Sequence, residues 1–365
     1  MKTFANILWQ AELALNITIK DIAREAHVSY ATVSRAFNNR YGVRSETRDK
    51  VLEIANRLNY TPNGIARGLV LKQTKTIGLI IPDITNPFFP EVARGIEEGA
   101  KEEGYSVFLC NTNWEQGRQF QYIKLLAEKR VDGLIIAPMS DAPDPEEERL
   151  HSSIPVVYVD RAPQNTDRSY VVIDNVRGGF IATRHLIEAG YRKIGFIGAV
   201  EQSLPIDERL KGFRMAMERY GLPIDERFIR IGHFNQETGV NSIEGMIKAG
   251  DYPQAVFAEN DIVALGVIHG VREMGLSVPG DVAVVGFDDI SIASLHYIQL
   301  TTVFQPKYEM GKAAVKILLD EIGVKAGSTS LGAAGYAGMR KSAEPSRRVV
   351  ILEPRLIIRK TSIIT

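Results

Sequence analysis

The hydrophobic pattern of this chain changes period near Lys75, and that change does most to limit what it can fold into. From Thr18 to Tyr60 the apolar residues recur at helical spacing in short segments broken by polar turns. Beyond Lys75, β-rich apolar runs at 76–81, 105–110, 133–137, 156–159 and 170–173 alternate with longer amphipathic stretches, and the alternation resumes at 194–198, 255–258 and 282–287. Continuous apolar strands separated by helices predict parallel sheets covered on both faces. The strands are too many for one compact sheet, so the pattern predicts two α/β subdomains behind a small all-α unit.

A length of 365 residues agrees with two or three domains. With 45% hydrophobic and 24% charged residues the chain reads as soluble and globular. A single cysteine, Cys110, excludes a disulfide framework and a multi-cysteine zinc site, and fits a reducing compartment. The apolar stretch 4–9 is too short to span a membrane and no small-residue cleavage site follows it, so a cytoplasmic protein is expected. The 44 basic and 44 acidic residues cancel, but their distribution is uneven. Between Thr18 and Lys75 eleven Lys or Arg face five Asp or Glu, whereas the chain from Thr76 on is acidic. A basic module on an acidic body suits nucleic-acid binding, because phosphate contacts supply most of the affinity. A solvated basic surface is the plainer alternative.

Within the basic module, Ile22, Ala23 and Ala26 form one face of a first helix, and Val28-Ser29 turns the chain. Ser29 is placed to cap a second helix through Phe37, whose Val33 and Phe37 lie at i and i+4. A third helix is predicted from Ser45, burying Val51, Leu52, Ala55 and Leu58 before Tyr60-Thr61-Pro62 stops it. This is a helix-turn-helix pattern. With Val33 and Phe37 inward, Tyr30, Ala31, Thr32, Ser34 and Arg35 face outward. Arginine reads guanine through paired donors to O6 and N7, and the hydroxyls of Ser29, Thr32 and Ser34 suit phosphate oxygens. A three-helix bundle without a ligand has the same bare pattern.

The motif Val28-Ser29-x-x-Thr32-Val33-Ser34-Arg35 resembles the lac-repressor (LacI/GalR) family of bacterial regulators, and the likeness runs over Thr18 to Leu69 and through nearly everything beyond. The resemblance implies that the helix from Tyr30 enters the major groove with Tyr30, Ala31 and Arg35 at the base edges. It also implies a homodimer on double-stranded, pseudo-palindromic operator DNA, one headpiece per half-site. His27 departs from the family, which usually has glycine there; a left-handed backbone is uncommon for a residue with a side chain. The segment from Pro62 to Leu69 looks like the family's hinge helix, with Asn63, Ala66, Arg67 and Leu69 at the DNA. Gly64 and Gly68 leave it too weak to be helical alone, so its folding is expected to be coupled to binding. Leu69 then stands where a wedge enters the minor groove. A plain flexible linker is the alternative.

By the same resemblance, the core from about 75 to 360 has the periplasmic sugar-binding-protein fold: two doubly wound subdomains, three crossovers and a ligand cleft between them. The expected fold is thus multidomain, with a headpiece over 18–61, a hinge over 62–74, a first subdomain of about 75–173 plus 306–323, and a second of about 174–303 plus 349–360. In such folds ligand residues follow the carboxyl ends of strands. Asn86, Phe88, Phe89, Asp160, Arg161, Phe234, Asn260 and Asp288 occupy such places, while Gln305 lies in a crossover and Arg209 in Glu208-Arg209-Leu210-x-Gly212-Phe213, which resembles a family element. The amides, carboxylates and guanidiniums can bind neighbouring hydroxyls while the phenylalanines pack on an apolar sugar face. A sugar or sugar phosphate is therefore the expected effector, with a purine as the alternative. Phe88 and Phe89 also suit a core.

Other chemistry finds little support. The six histidines are scattered without metal-ligand spacing, and there is no phosphate-binding P-loop, dinucleotide fingerprint or nucleophile elbow. Gly195-Phe196-Ile197-Gly198 reads as a strand end. No catalytic residue, metal or cofactor is expected, and neither an enzyme nor a periplasmic binding protein accounts for the helix-turn-helix. Residues 1–17 precede the usual family start and have no assigned role. The stretch 324–348, with Arg340, Lys341, Arg347 and Arg348, reads as a long basic loop.

Overall fold

Thr18 opens the first helix, α1 (Ile19–Ala26), with its backbone N–H and hydroxyl both donated to the Asp21 carboxylate at 2.9 and 2.7 Å. These bonds hold the Asp21 carboxyl below its ordinary range. The helix ends at His27, whose φ of 55° and ψ of 42° are left-handed, the conformation for which the family keeps a glycine. In α2 (Tyr30–Phe37) the Thr32 amide donates to the Ser29 hydroxyl at 3.1 Å, the expected cap. The third helix, α3 (Ser45–Arg57), closes a small core of Ile22, Ala23, Ala26, Val33, Ala36, Val51, Ile54 and Ala55. Leu52 and Leu58 were expected in that core but are only half-buried; Ile54, three residues after Val51, is buried instead. The computed structural model describes residues 17–37, 42–60, 73–142, 145–151, 154–199, 204–330 and 347–363. The chain divides into a unit ending at Thr74 and one beginning at Lys75.

The second unit holds two six-stranded sheets. The first has the order β11-β5-β4-β3-β1-β2, from β1 (Thr76–Ile81), β2 (Ser106–Asn111), β3 (Gly133–Ile136), β4 (Val156–Asp160), β5 (Ser169–Ile173) and β11 (Val349–Leu352). The second has the order β12-β10-β9-β8-β6-β7, from β6 (Ile194–Ala199), β7 (Ile229–Gly232), β8 (Ala255–Ala258), β9 (Ala283–Asp288), β10 (Thr301–Phe304) and β12 (Arg355–Ile357). Every pairing is parallel except β10 with β12. In each sheet the chain reverses its winding beside the first strand, β1 or β6, and ligands bind outside strand carboxyl ends at such points.

Helices α4 (Phe88–Glu102) and α11 (Lys307–Ser330) cover one face of the first sheet, and α5 (Gln116–Glu128) covers the other. The second sheet lies between α7 (Asn175–Glu188) with α8 (Leu204–Arg219) and α9 (Gln236–Lys248) with α10 (Asp261–Glu273). A short α6 (Pro145–His151) precedes β4.

Two expectations differ from the structure. Val349–Leu352 was assigned to the second subdomain with the rest of 349–360, but β11 pairs in parallel with β5 and belongs to the first sheet; only β12 joins the second. The exposure of β11 alternates, as an edge strand's does, so its pattern did not mark which sheet it joins. The supposed loop from Val324 is helical as far as Ser330, since α11 continues past the predicted end at 323; residues 331–346 lie outside the described residues.

Candidate DNA-reading surface and effector cleft

On α2, Val33 and Ala36 turn into the headpiece core, which leaves Tyr30, Ala31 and Arg35 exposed, with Tyr30 at 54%. Thr32 and Ser34 are half-buried beside them. Ser29 is exposed, but its hydroxyl is engaged with the Thr32 amide and hydroxyl, so it caps the helix before it can serve a phosphate. Residues Asn63, Ala66, Arg67 and Leu69 lie outside the described residues, as do positions 1–16.

In the second unit, nine of the ten proposed effector residues meet in one cleft at the carboxyl ends of the two sheets. Asn86, Phe88 and Phe89 come from the turn after β1 and the start of α4, Asp160 and Arg161 from the end of β4, and Arg209 from α8. Phe234 follows β7, Asp288 ends β9, and Gln305 follows β10. Asn86 accepts from the Phe88 amide at 3.0 Å, which orients the first turn of α4. Phe88 and Phe89 pack edge to face at 5.1 Å and also belong to the first core, so they serve both surfaces.

The backbone is strained where the carboxylates enter. Asp160 has φ 69° and Asp288 φ 115°, conformations a residue with a side chain adopts at a cost of order 1–3 kcal/mol. Two buried polar atoms at the cleft, Arg161 Nε and Gln305 Oε1, have no hydrogen-bond partner, although Gln305 Nε2 donates to Asp288 Oδ1 at 2.7 Å. The Lys307 ammonium donates to the Asp288 and Asp289 carbonyls and pairs with Glu91 at 3.3 Å, so it braces the strand end from behind.

Asn260 does not line the cleft. Its side-chain oxygen accepts from the Val263 amide at 2.8 Å and so caps α10, while its amide donates to Glu259 Oε1 at 2.7 Å. Glu259, one residue earlier, takes the place in the cleft wall, and Trp114 after β2 is a second lining residue not expected from the sequence. The Trp114 and Phe234 rings lie 5.2 Å apart, joining the two subdomains across the cleft. Arg209 is nearly buried. Its Nε donates to Asn175 Oδ1 at 2.9 Å, its Nη1 donates to the Glu259 carbonyl at 2.6 Å and lies 3.3 Å from the Glu259 carboxylate, and the guanidinium sits 3.8 Å over the Phe287 ring.

Burial raises every carboxyl here. Glu259 is pushed up to about 8 against the pull of Arg209, and Asp288 to about 6 against Arg209 and Lys307. Asp160 is likewise raised by burial, with Arg161 opposing. A cavity lined by mixed hydrogen-bonding groups and aromatic rings, with unpaired polar atoms, is built to bind a small polar molecule. No group of three or more potential metal ligands occurs among the described residues.

An exposed arginine on a helix-turn-helix and a ligand cleft between two α/β subdomains define a ligand-responsive, DNA-binding transcription regulator, a class that is not enzymatic. Residues 18–63 match the bacterial regulatory proteins of the lacI family, and residues 74–355 match the periplasmic binding proteins and sugar binding domain of that family. The chain belongs to the lacI family. It is 37% identical to the HTH-type transcriptional repressor PurR of Vibrio parahaemolyticus, covering 94% of this chain and 98% of that one. Among solved structures it is similar to the lac repressor dimer bound to operator and the anti-inducer ONPF, with a TM-score of 0.79 and 26% identity over 95% of this chain and 99% of that one. It is also similar to the regulator CelR in complex with cellobiose, with a TM-score of 0.67 and 29% identity over 95% of this chain and all of that one. Among the described residues no helix is long and apolar enough to cross a membrane.

Proposed function

We propose that this regulator is a cytoplasmic homodimeric repressor whose grip on its operator is set by a small sugar held between the two core subdomains. The observation that carries the effector reading is the convergence of Asp160, Arg161, Asp288 and Gln305, two of them strained and two with a buried polar atom lacking a hydrogen-bond partner, beside Phe88, Phe89 and Phe234. Hydroxyl pairs satisfy such atoms and the rings cover an apolar sugar face. Support comes also from the sugar-binding description of the matched core family and from the cellobiose held by a similar regulator. The lac repressor, similar along nearly its whole length, is a dimer on its operator, which supports a dimer here. The DNA contacts proposed are Tyr30, Ala31 and Arg35 at base edges, Ser29, Thr32 and Ser34 at phosphates, and Asn63, Ala66, Arg67 and Leu69 in the hinge. A ligand touching both subdomains fixes their relative orientation, and that change is coupled to DNA affinity.

A thermal-shift screen of sugars, sugar phosphates, purines and nucleosides tests the effector class. A ligand that binds only the folded state adds about 2.7 kcal/mol at a hundred times its Kd. The sugars are expected to respond and to alter operator binding, with Arg161→Ala or Asp288→Ala removing both effects together. A purine response with silent sugars replaces the effector class.

A further inference from the structure

The cleft has a larger neighbour. Between the turn after β4, strands β5 and β11, and the first turns of α7 and α8 lies a cavity of about 410 Å³, whereas the cleft itself encloses about 30 Å³. The larger space falls within the roughly 300–1,000 Å³ of ordinary ligand pockets, whereas the cleft must open between its two subdomains to take a sugar ring. Asp160, Arg161 and Pro205 border both. Arg161 stands at this shared border, where its Nε has no hydrogen-bond partner and lies 3.9 Å from the Asp160 carboxylate.

The larger pocket repeats the chemistry of the cleft. Asn165, Asp174 and Glu208 offer donors and acceptors, and Tyr170 and Ile351 offer apolar surface. Burial pushes the Glu208 carboxyl up, which suits it to hydroxyls rather than to a cation. The Arg347 guanidinium is already committed, lying 5.0 Å over the Tyr170 ring and donating to its hydroxyl at 3.1 Å. Arg347 is engaged by Tyr170, and Arg161 lies beside the Asp160 carboxylate, which disfavours an anionic group such as phosphate.

We propose that this pocket is a second sugar subsite joined to the cleft across Arg161, so that the effector is a neutral disaccharide or longer, one ring in the cleft and the next against Tyr170 and Ile351. The proposal rests on the reading of the cleft as a sugar site. Calorimetric titration of the full chain with glucose, galactose, ribose, cellobiose, maltose and lactose separates the two. One disaccharide is expected to bind at least about tenfold more tightly than any of the monosaccharides. Ile351 is 60% exposed, so Ile351→Trp fills the pocket without disturbing a core; it should abolish that advantage, and Asn165→Ala should reduce it, with monosaccharide binding unchanged in both. Monosaccharides binding as tightly as every disaccharide, or a disaccharide indifferent to Ile351→Trp, overturns the subsite and leaves the cleft reading intact. Silence to all six sugars sinks both.

Discussion

Arg35 stands on the exposed side of α2 because Val33 and Ala36, on the face between its neighbours, are the residues the headpiece buries. A bidentate guanine contact is worth about 1–3 kcal/mol of discrimination. Arg35→Ala is expected to keep the headpiece folded and to relax the preference at one symmetric base position; a randomised-site selection that returns the parent's motif refutes the base-reading role. In the core, Glu259 makes stability depend on pH. Its folded carboxyl titrates near 8 against an ordinary 4.5, so between these values the folded state holds a proton the unfolded chain has lost, and stability falls as pH rises. Asp288 acts in the same direction but is spent above about 6, and the depressed His185 acts oppositely only below 6.5. Denaturation midpoints from pH 6.5 to 8.5 are thus expected to decline in the parent and to decline less steeply in Glu259→Gln, since the buried Asp261 carboxyl, also pushed up, acts in the same direction. Glu259 was within one position of being found. Neighbouring residues at a strand end point to opposite sides, and the sequence does not show whether Glu259 or Asn260 faces the cleft. Trp114 was less legible still, since it enters the cleft from a backbone at φ 58°, which an aromatic residue rarely adopts.

Among the elements, the three helix pairs flanking the sheets share one device. A Cβ on Gly95, Gly179 or Gly239 would lie 2.1, 2.1 or 2.2 Å from a carbonyl oxygen of the partner helix, and Gly311, Gly212 and Gly266 reciprocate. The axes can approach closely only without those side chains. For α7 and α8 the carbonyl involved is that of Arg209 itself, so the contact that packs the helices also sets the height of the guanidinium above Phe287. Gly179→Ala is expected to cost about 1–3 kcal/mol in thermal denaturation and to weaken effector binding. Gly245→Ala, in α9 with open space around it, is expected to stabilise by about 0.5–1 kcal/mol. Equal effects at the two sites rule out the packing account. The alternating strands and helices were legible as elements because long apolar runs and amphipathic stretches differ in period. The end of α11 and the sheet joined by β11 were not.

At the scale of the whole molecule the chain is two units, one basic and helical, one α/β. A chain restricted to Lys75–Thr365 is expected to keep the sugar-induced thermal shift and to lose operator binding; loss of the shift would mean that the first unit contributes to the ligand site. The sequence by itself determined the two-unit organisation, the helix-turn-helix with its capping Ser29 and outward Arg35, and the parallel character of the core, because periodicity and capping act over a few residues. It also marked most of the cleft, since strand carboxyl ends converge whenever such sheets are doubly wound. Only the tertiary structure decided that β11 and β12 belong to different sheets, that Glu259 and not Asn260 lines the wall, and that a larger cavity adjoins the cleft behind Arg161. Each of these depends on contacts between residues distant in the chain, and no local pattern records them.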